Sequence, residues 1–135
     1  MPLVRIDLIA GREPDQVRGI GDAIHAALVS TYGIPERDHF QIITEHAASN
    51  IVAEDAGLGF ERSDGVVMIQ IFTQQGRSQA AKQELFAAIN AGLEAVDVRP
   101  EGTFVSYIEN KPEDWSFGFE RAQYVTGELA FPDAN

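Results

Sequence analysis

The chain has 135 residues, 44% of them hydrophobic, with 21 acidic against 10 basic side chains and a formal net charge of −11. That length suits one well-buried domain, residues 1–135, and the charge excludes a surface whose average field attracts nucleic acid or anionic membrane. With no cysteine, disulfides, thiolate catalysis and sulfur-ligated zinc are excluded, and with no apolar run near the roughly 20 residues of a membrane span a cytoplasmic protein working without bound metal is expected.

Leu3, Val4, Ile6, Leu8 and Ile9 form a branched apolar run that predicts a strand, closed by Gly11-Arg12. A helix from about Asp15 to Tyr32 follows, because Val17, Ile20, Ala23, Ile24, Ala27 and Leu28 recur at steps of three and four and make one buried stripe. Gly33-Ile34-Pro35 stops it, glycine by permitting a left-handed cap and proline by being unable to continue. A strand is predicted around His39 to Thr44, and residues 47–64, rich in small and turn-forming side chains, form a linker.

The same order then recurs. Val66 to Phe72 reads as a strand, Gly76-Arg77 ends it, Leu85, Ala88, Ile89 and Leu93 mark a second helix, Asp97-Val98-Arg99-Pro100 stops it, and Thr103 to Glu109 reads as a closing strand. Written at an ungapped offset of 65 from Leu3 over Met68 to Glu45 over Asn110, the halves 2–46 and 67–111 match at Ile6 and Ile71, Gly11-Arg12 and Gly76-Arg77, Ala23-Ile24 and Ala88-Ile89, and Pro35-Glu36 and Pro100-Glu101. Two strand-helix-strand units with right-handed crossovers can share a four-stranded sheet with both helices on one face. The expected fold is therefore α+β, a duplicated β-α-β, whose other sheet face needs cover from neighbouring subunits. Residues 112–135 extend the repeat, and the alternation of Trp115, Phe117 and Phe119 predicts three rings on one side of a strand.

Pro2-Leu3, Asp7-Leu8-Ile9, Gly11-Arg12, Glu36-Arg37-Asp38, Gln41-Ile42, Glu54 to Phe60, Arg62-Ser63-Asp64, Glu109-Asn110 and Asp114 to Gly118 together resemble the malonate semialdehyde decarboxylase family of the tautomerase superfamily. The resemblance implies a homotrimer and an amino-terminal proline as the catalytic group. It also implies cofactor-independent decarboxylation of 3-oxopropanoate to acetaldehyde and carbon dioxide, with a secondary hydratase activity toward acetylenic 2-oxo acids. One departure stands out: where that pattern carries two arginines one residue apart, this chain has Gln74 and Gly76, with Arg77 beside them.

On this reading Met1 is removed and Pro2 presents a secondary amine, whose pKa burial and Arg77 would lower and Asp38 would raise. Only the first half offers a free amine, since the repeat mate of Pro2 is the internal Val67. Arg77 would hold a small anionic oxo-acid by its carboxylate, and Asp38 would accept a hydrogen bond from the Pro2 ammonium or orient water. Thr73 and Gln74 would add hydrogen bonds, and Trp115, Phe117 and Phe119 would exclude water. Protonated Pro2 could polarise the aldehyde oxygen, or neutral Pro2 could form an iminium. His25, His39 and His46 show no metal-ligand or acid-partner spacing and read as structural. The alternatives are a 2-oxo acid tautomerase or hydratase on the same scaffold, and a non-catalytic small-ligand-binding module.

Overall fold

The computed structural model describes residues 1–130. In chain order, β1 (Leu3–Ile9), α1 (Pro14–Tyr32) and β2 (Phe40–His46) form the first unit, and β3 (Val67–Gln74), α2 (Gln79–Glu94) and β4 (Thr103–Asn110) the second. The sheet order is β2-β1-β3-β4; β1 and β2 are parallel, β3 and β4 are parallel, and β1 meets β3 antiparallel with Arg5 opposite Gln70. The expected four-stranded duplicated β-α-β is present, and each closing strand runs further than its apolar run suggested.

Pleating sends Val4, Ile6 and Leu8 of β1, and Ile69 and Ile71 of β3, to one face. There they pack against Ile20, Ile24 and Leu28 of α1 and Leu85, Ile89 and Leu93 of α2, so both helices cover that face. Each such side chain stabilises the fold by about 1.5–3 kcal/mol through burial. Pro14 fits the first turn of α1, where its missing N–H would have no partner anyway. Gly33 closes the helix at φ 64° with its N–H donating to the Val29 carbonyl, while Ser78 Oγ caps α2 by accepting from the Ala81 N–H at 3.1 Å.

The ungapped repeat needs one correction. The helix stripes do match at 65, Ile20 with Leu85, Ile24 with Ile89 and Leu28 with Leu93. Beyond them the register changes: Leu3 pairs with Phe40, but its mate Met68 pairs with Phe104, so the closing strands correspond at 64. The lost residue falls at the helix ends, where Asp97 at φ 64° does what Gly33 does in the first half, and buried Ile34 and Val98 follow them. The Pro35-Glu36 and Pro100-Glu101 identities are thus one residue out of structural register, and the mate of Asp38 is Gly102.

The predicted strand of three aligned rings is also corrected. After β4 a 3-10 turn (Pro112–Asp114) turns the chain, and residues 115–119 join no sheet. Gly118 (φ 117°) and Phe119 (φ 58°) then take left-handed conformations, which break the alternation and leave Phe119 89% exposed. Trp115 and Phe117 do stack, with centroids 5.5 Å apart. Gln123, at the start of the short α3 (Gln123–Thr126), braces this turn: its Oε1 accepts from the Phe117 N–H at 2.9 Å and its Nε2 donates to the Gly118 carbonyl at 2.9 Å. The last part of the predicted extension, residues 131–135, lies outside the described residues. Among the described residues no helix is long and apolar enough to cross a membrane.

Candidate active site

The topology brings one set of strand ends together. Because β1 and β3 are antiparallel, residues before Leu3 run beside the end of β3 at Thr73 and Gln74, and because β2 starts beside Leu3 the preceding turn arrives there too. That turn carries Asp38, 8% exposed, fixed by its N–H donating to the Pro35 carbonyl at 2.9 Å. The amine of the chain start, on Met1, lies 3.4 Å from Asp38 Oδ2 and donates to Gln74 Oε1 at 3.3 Å. Thr73 Oγ1 donates to the same oxygen at 2.7 Å. The Met1 amine stands one residue, about 3.8 Å of chain, ahead of the nitrogen that a trimmed chain would expose on buried Pro2.

Burial and charge oppose each other here. Burial holds the amine below its ordinary range, against the charge and hydrogen bond of Asp38, which raise it, while Arg77 adds a smaller lowering. Burial likewise pushes Asp38 up, against the amine and, more weakly, His25. Burial therefore draws both members of the pair toward their neutral forms, while their mutual attraction favours the charged ones. Asp38 Oδ1 is buried without a hydrogen-bond partner among the described residues, leaving one acceptor for a ligand.

Arg77 is not a surface residue. It is 6% exposed, its guanidinium lies 4.1 Å from the centroid of the Tyr32 ring, and its Nη1 has no hydrogen-bond partner among the described residues. Tyr32 in turn donates to the Tyr107 hydroxyl at 3.2 Å, and Lys82, paired with Glu109, sits over Tyr107. Arg77 thus reaches the amine through its field from the helix side of the sheet, rather than by contact.

The aromatic wall is assembled from different residues than the sequence suggested. Phe117 packs edge-on against Tyr124 at 5.4 Å, against Trp115 at 5.5 Å and against Phe40 at 6.2 Å. Phe119 takes no part. Tyr124, Phe40, Met1 and Asp38 line a cavity of about 280 Å³. Burial and the neighbouring Asp38 charge push the Tyr124 hydroxyl up to about 12, so it stays a donor across the neutral range. Sequence reasoning missed Tyr124 and Phe40: the first lies in a tail with no repeat mate, and the second reads as an ordinary strand residue.

A larger cavity of about 520 Å³ opens on the uncovered sheet face and includes Asp7, His46, Met68 and Phe104. It holds no amine and lacks the convergence found at Asp38, so volume does not mark the chemistry here. One reading of the histidines is corrected by it: His46 Nε2 lies 2.6 Å from Asp7 Oδ1, an acid partner brought close by strand register and invisible at a separation of 39 residues.

Two family models described as tautomerase enzyme match the chain, over residues 38–118 and 2–61. The probable tautomerase YrdN of Bacillus subtilis (strain 168) is 35% identical over 96% of this chain and 100% of its own. The solved structure of FG41 malonate semialdehyde decarboxylase inhibited by 3-bromopropiolate is 55% identical, with a TM-score of 0.94 over 96% of this chain and 99% of that one. A second malonate semialdehyde decarboxylase, described with decarboxylase and hydratase activities, is 35% identical at a TM-score of 0.90, covering 95% of this chain and 99% of that one. Native fused 4-OT, 22% identical at a TM-score of 0.75 over 92% of this chain and 98% of that one, shares the fold.

Proposed function

This chain belongs to the tautomerase family of enzymes, and from that premise we propose that it decarboxylates malonate semialdehyde to acetaldehyde and carbon dioxide with the amine of Pro2. The observation that carries the reading is the Met1 amine 3.4 Å from the buried Asp38 carboxylate, one residue ahead of the Pro2 nitrogen, where Met1 and Asp38 line a cavity with Phe40 and Tyr124. Likeness to two malonate semialdehyde decarboxylases supports the choice of substrate.

In a 3-oxo acid the bond between C1 and C2 breaks when its electron pair can flow into the C3 carbonyl. The Pro2 ammonium, beside Asp38, donates to the carbonyl oxygen and stabilises the enolate charge that develops on it; alternatively the neutral amine condenses with the aldehyde, water is lost, and the iminium accepts the pair as an enamine. In both routes carbon dioxide leaves and C2 takes a proton, and in the second water then hydrolyses the resulting iminium to release acetaldehyde and restore the amine. The Gln74 amide, steadied by the Thr73 hydroxyl on its oxygen, and the Tyr124 hydroxyl supply neutral donors for the substrate, and Arg77 supplies the positive field that favours an anion. Trp115 and Phe117 limit water, which favours conversion of a charged carboxylate into neutral carbon dioxide. Asp38 Oδ1, an acceptor without a partner among the described residues, favours a secondary hydratase activity, since it can orient water toward an acetylenic 2-oxo acid.

The test is incubation of the purified protein with malonate semialdehyde and, separately, with a 2-oxo acid enol. Acetaldehyde from the first at a rate well above enol-keto transfer supports decarboxylation. Rapid transfer in the second with no acetaldehyde in the first would assign a tautomerase instead, and borohydride trapping of a protein-bound adduct separates the iminium route from hydrogen bonding.

The uncovered sheet face supports a homotrimer as the working form. Phe40, Ile42 and Phe104 are 44%, 47% and 40% exposed there, and several fused 4-OT structures of the same fold are described as trimers. Sedimentation equilibrium checks the mass directly.

A further inference from the structure

Asp38 reaches the amine from a turn, and a turn needs something to hold its aim. The segment from Glu36 to Gln41 is fastened to α1 at both of its ends. At one end His25 Nε2 lies 2.8 Å from the Glu36 carbonyl oxygen; a carbonyl only accepts, so this nitrogen carries the proton. The same imidazole stacks on His39, with centroids 3.8 Å apart and planes within 3°. At the other end Gln41 Nε2 donates to the Gly21 carbonyl at 2.7 Å while its Oε1 accepts from Arg18 Nη2 at 2.6 Å. A Cβ at position 21 would lie 2.3 Å from Arg18 Nη2 and 2.6 Å from Gln41 Oε1, so glycine there makes room for the fastening.

Arg18, Gly21 and His25 fall at steps of three and four on one side of α1. Their mates in α2 are Gln83, Phe86 and Asn90, and the mate of Gln41 at the corrected offset is Val105. The second unit builds the same crossover without any of these contacts; Asn90 instead donates to Glu94 at 3.0 Å. The fastening is therefore not a requirement of the fold. It occurs in the half whose turn carries Asp38 and not in the half whose turn carries Gly102.

We propose that His25 is a positioning residue for the reaction: its hydrogen bond to the Glu36 carbonyl and its stack on His39 hold the 36–41 turn so that the Asp38 carboxylate meets the amine. The inference rests on the reading of the amine and Asp38 as the reacting pair. The experiment combines steady-state kinetics on malonate semialdehyde with NMR titration of the amine in ¹⁵N-proline-labelled protein, for His25→Ala, His25→Gln and His39→Ala, each also in an Asp38→Asn background.

His25→Ala is expected to lower kcat about ten-fold or more, as small misplacements of reacting groups do, with KM within about two-fold. It should also lower the amine midpoint toward that of Asp38→Asn. His25→Gln, which keeps a donor, should recover part of both, and His39→Ala, which removes only the stack, should lose less. In the Asp38→Asn background His25→Ala should leave the amine midpoint unmoved, because the residue acts through Asp38. A folded His25→Ala protein with the wild-type midpoint and kcat would overturn the proposal, as would an undiminished shift in the Asp38→Asn background. Full turnover by Pro2→Ala would instead overturn the reading of the site, while the midpoints would still report whether His25 aims Asp38.

Discussion

Replacing Asp38 with Asn removes one charge from the pair while keeping its size. At the 3.4 Å that separates Asp38 from the Met1 amine, taken as the scale for the Pro2 amine of the trimmed chain, two unit charges interact by roughly 5 kcal/mol at an effective dielectric of about 20 and by roughly 1 kcal/mol in bulk water. Asp38 and Pro2 are buried and Met1 is half-buried, which places the interaction between those limits. Asp38→Asn should therefore lower the midpoint of the amine. The sign follows from the pair: Asp38 favours the ammonium and thereby offsets the lowering caused by burial. ¹⁵N-proline titration by NMR reads the midpoint, and the pH dependence of kcat/KM should move in the same direction while kcat itself falls about 10²- to 10⁴-fold. A folded Asp38→Asn protein whose amine titrates at or above the wild-type midpoint would refute this electrostatic account of the site.

The opposite shift is expected for Arg77→Met, which removes a positive charge: the amine midpoint should rise, and KM for an anionic substrate should increase, both read in the same titration and kinetic series. Phe119→Ala should leave kcat within about two-fold and stability within about 0.5 kcal/mol, as expected for an exposed side chain, while Phe117→Ala lowers kcat in the same assay. Leu28→Ala, at the buried centre of α1, should cost about 2–5 kcal/mol of unfolding free energy in a urea titration, with no change in the amine midpoint of the folded protein.

The helix stripes were the most legible part of the chain. Ile20, Ile24 and Leu28 and their mates Leu85, Ile89 and Leu93 carry the 3.6-residue period because each must face one core. The slip from 65 to 64 was hidden because two Pro-Glu pairs match by identity, whereas the register depends on how many residues the helix end consumes at Gly33 or Asp97. Phe119 failed for a similar reason: alternation predicts a shared face only while the backbone stays extended, and Gly118 ends that. Asp38 stands in a motif that carries the family resemblance, Gln74 is a departure from it with Thr73 beside it, and strand pairing explains why all three converge on the amine. Tyr124 and the His46–Asp7 pair were beyond reach of spacing, since each depends on segments brought together by the tertiary fold.

In the proposed mechanism a free Pro2 amine carries the chemistry. That role is tested most directly by measuring acetaldehyde release from malonate semialdehyde by protein whose intact mass shows Met1 removed, beside the Pro2→Ala variant. Turnover by the wild type is expected, with a loss of about 10²-fold or more in kcat for Pro2→Ala, the scale of a positioned proton donor or acceptor. Turnover that is equal in the two proteins, or that proceeds with Met1 retained, would contradict the mechanism.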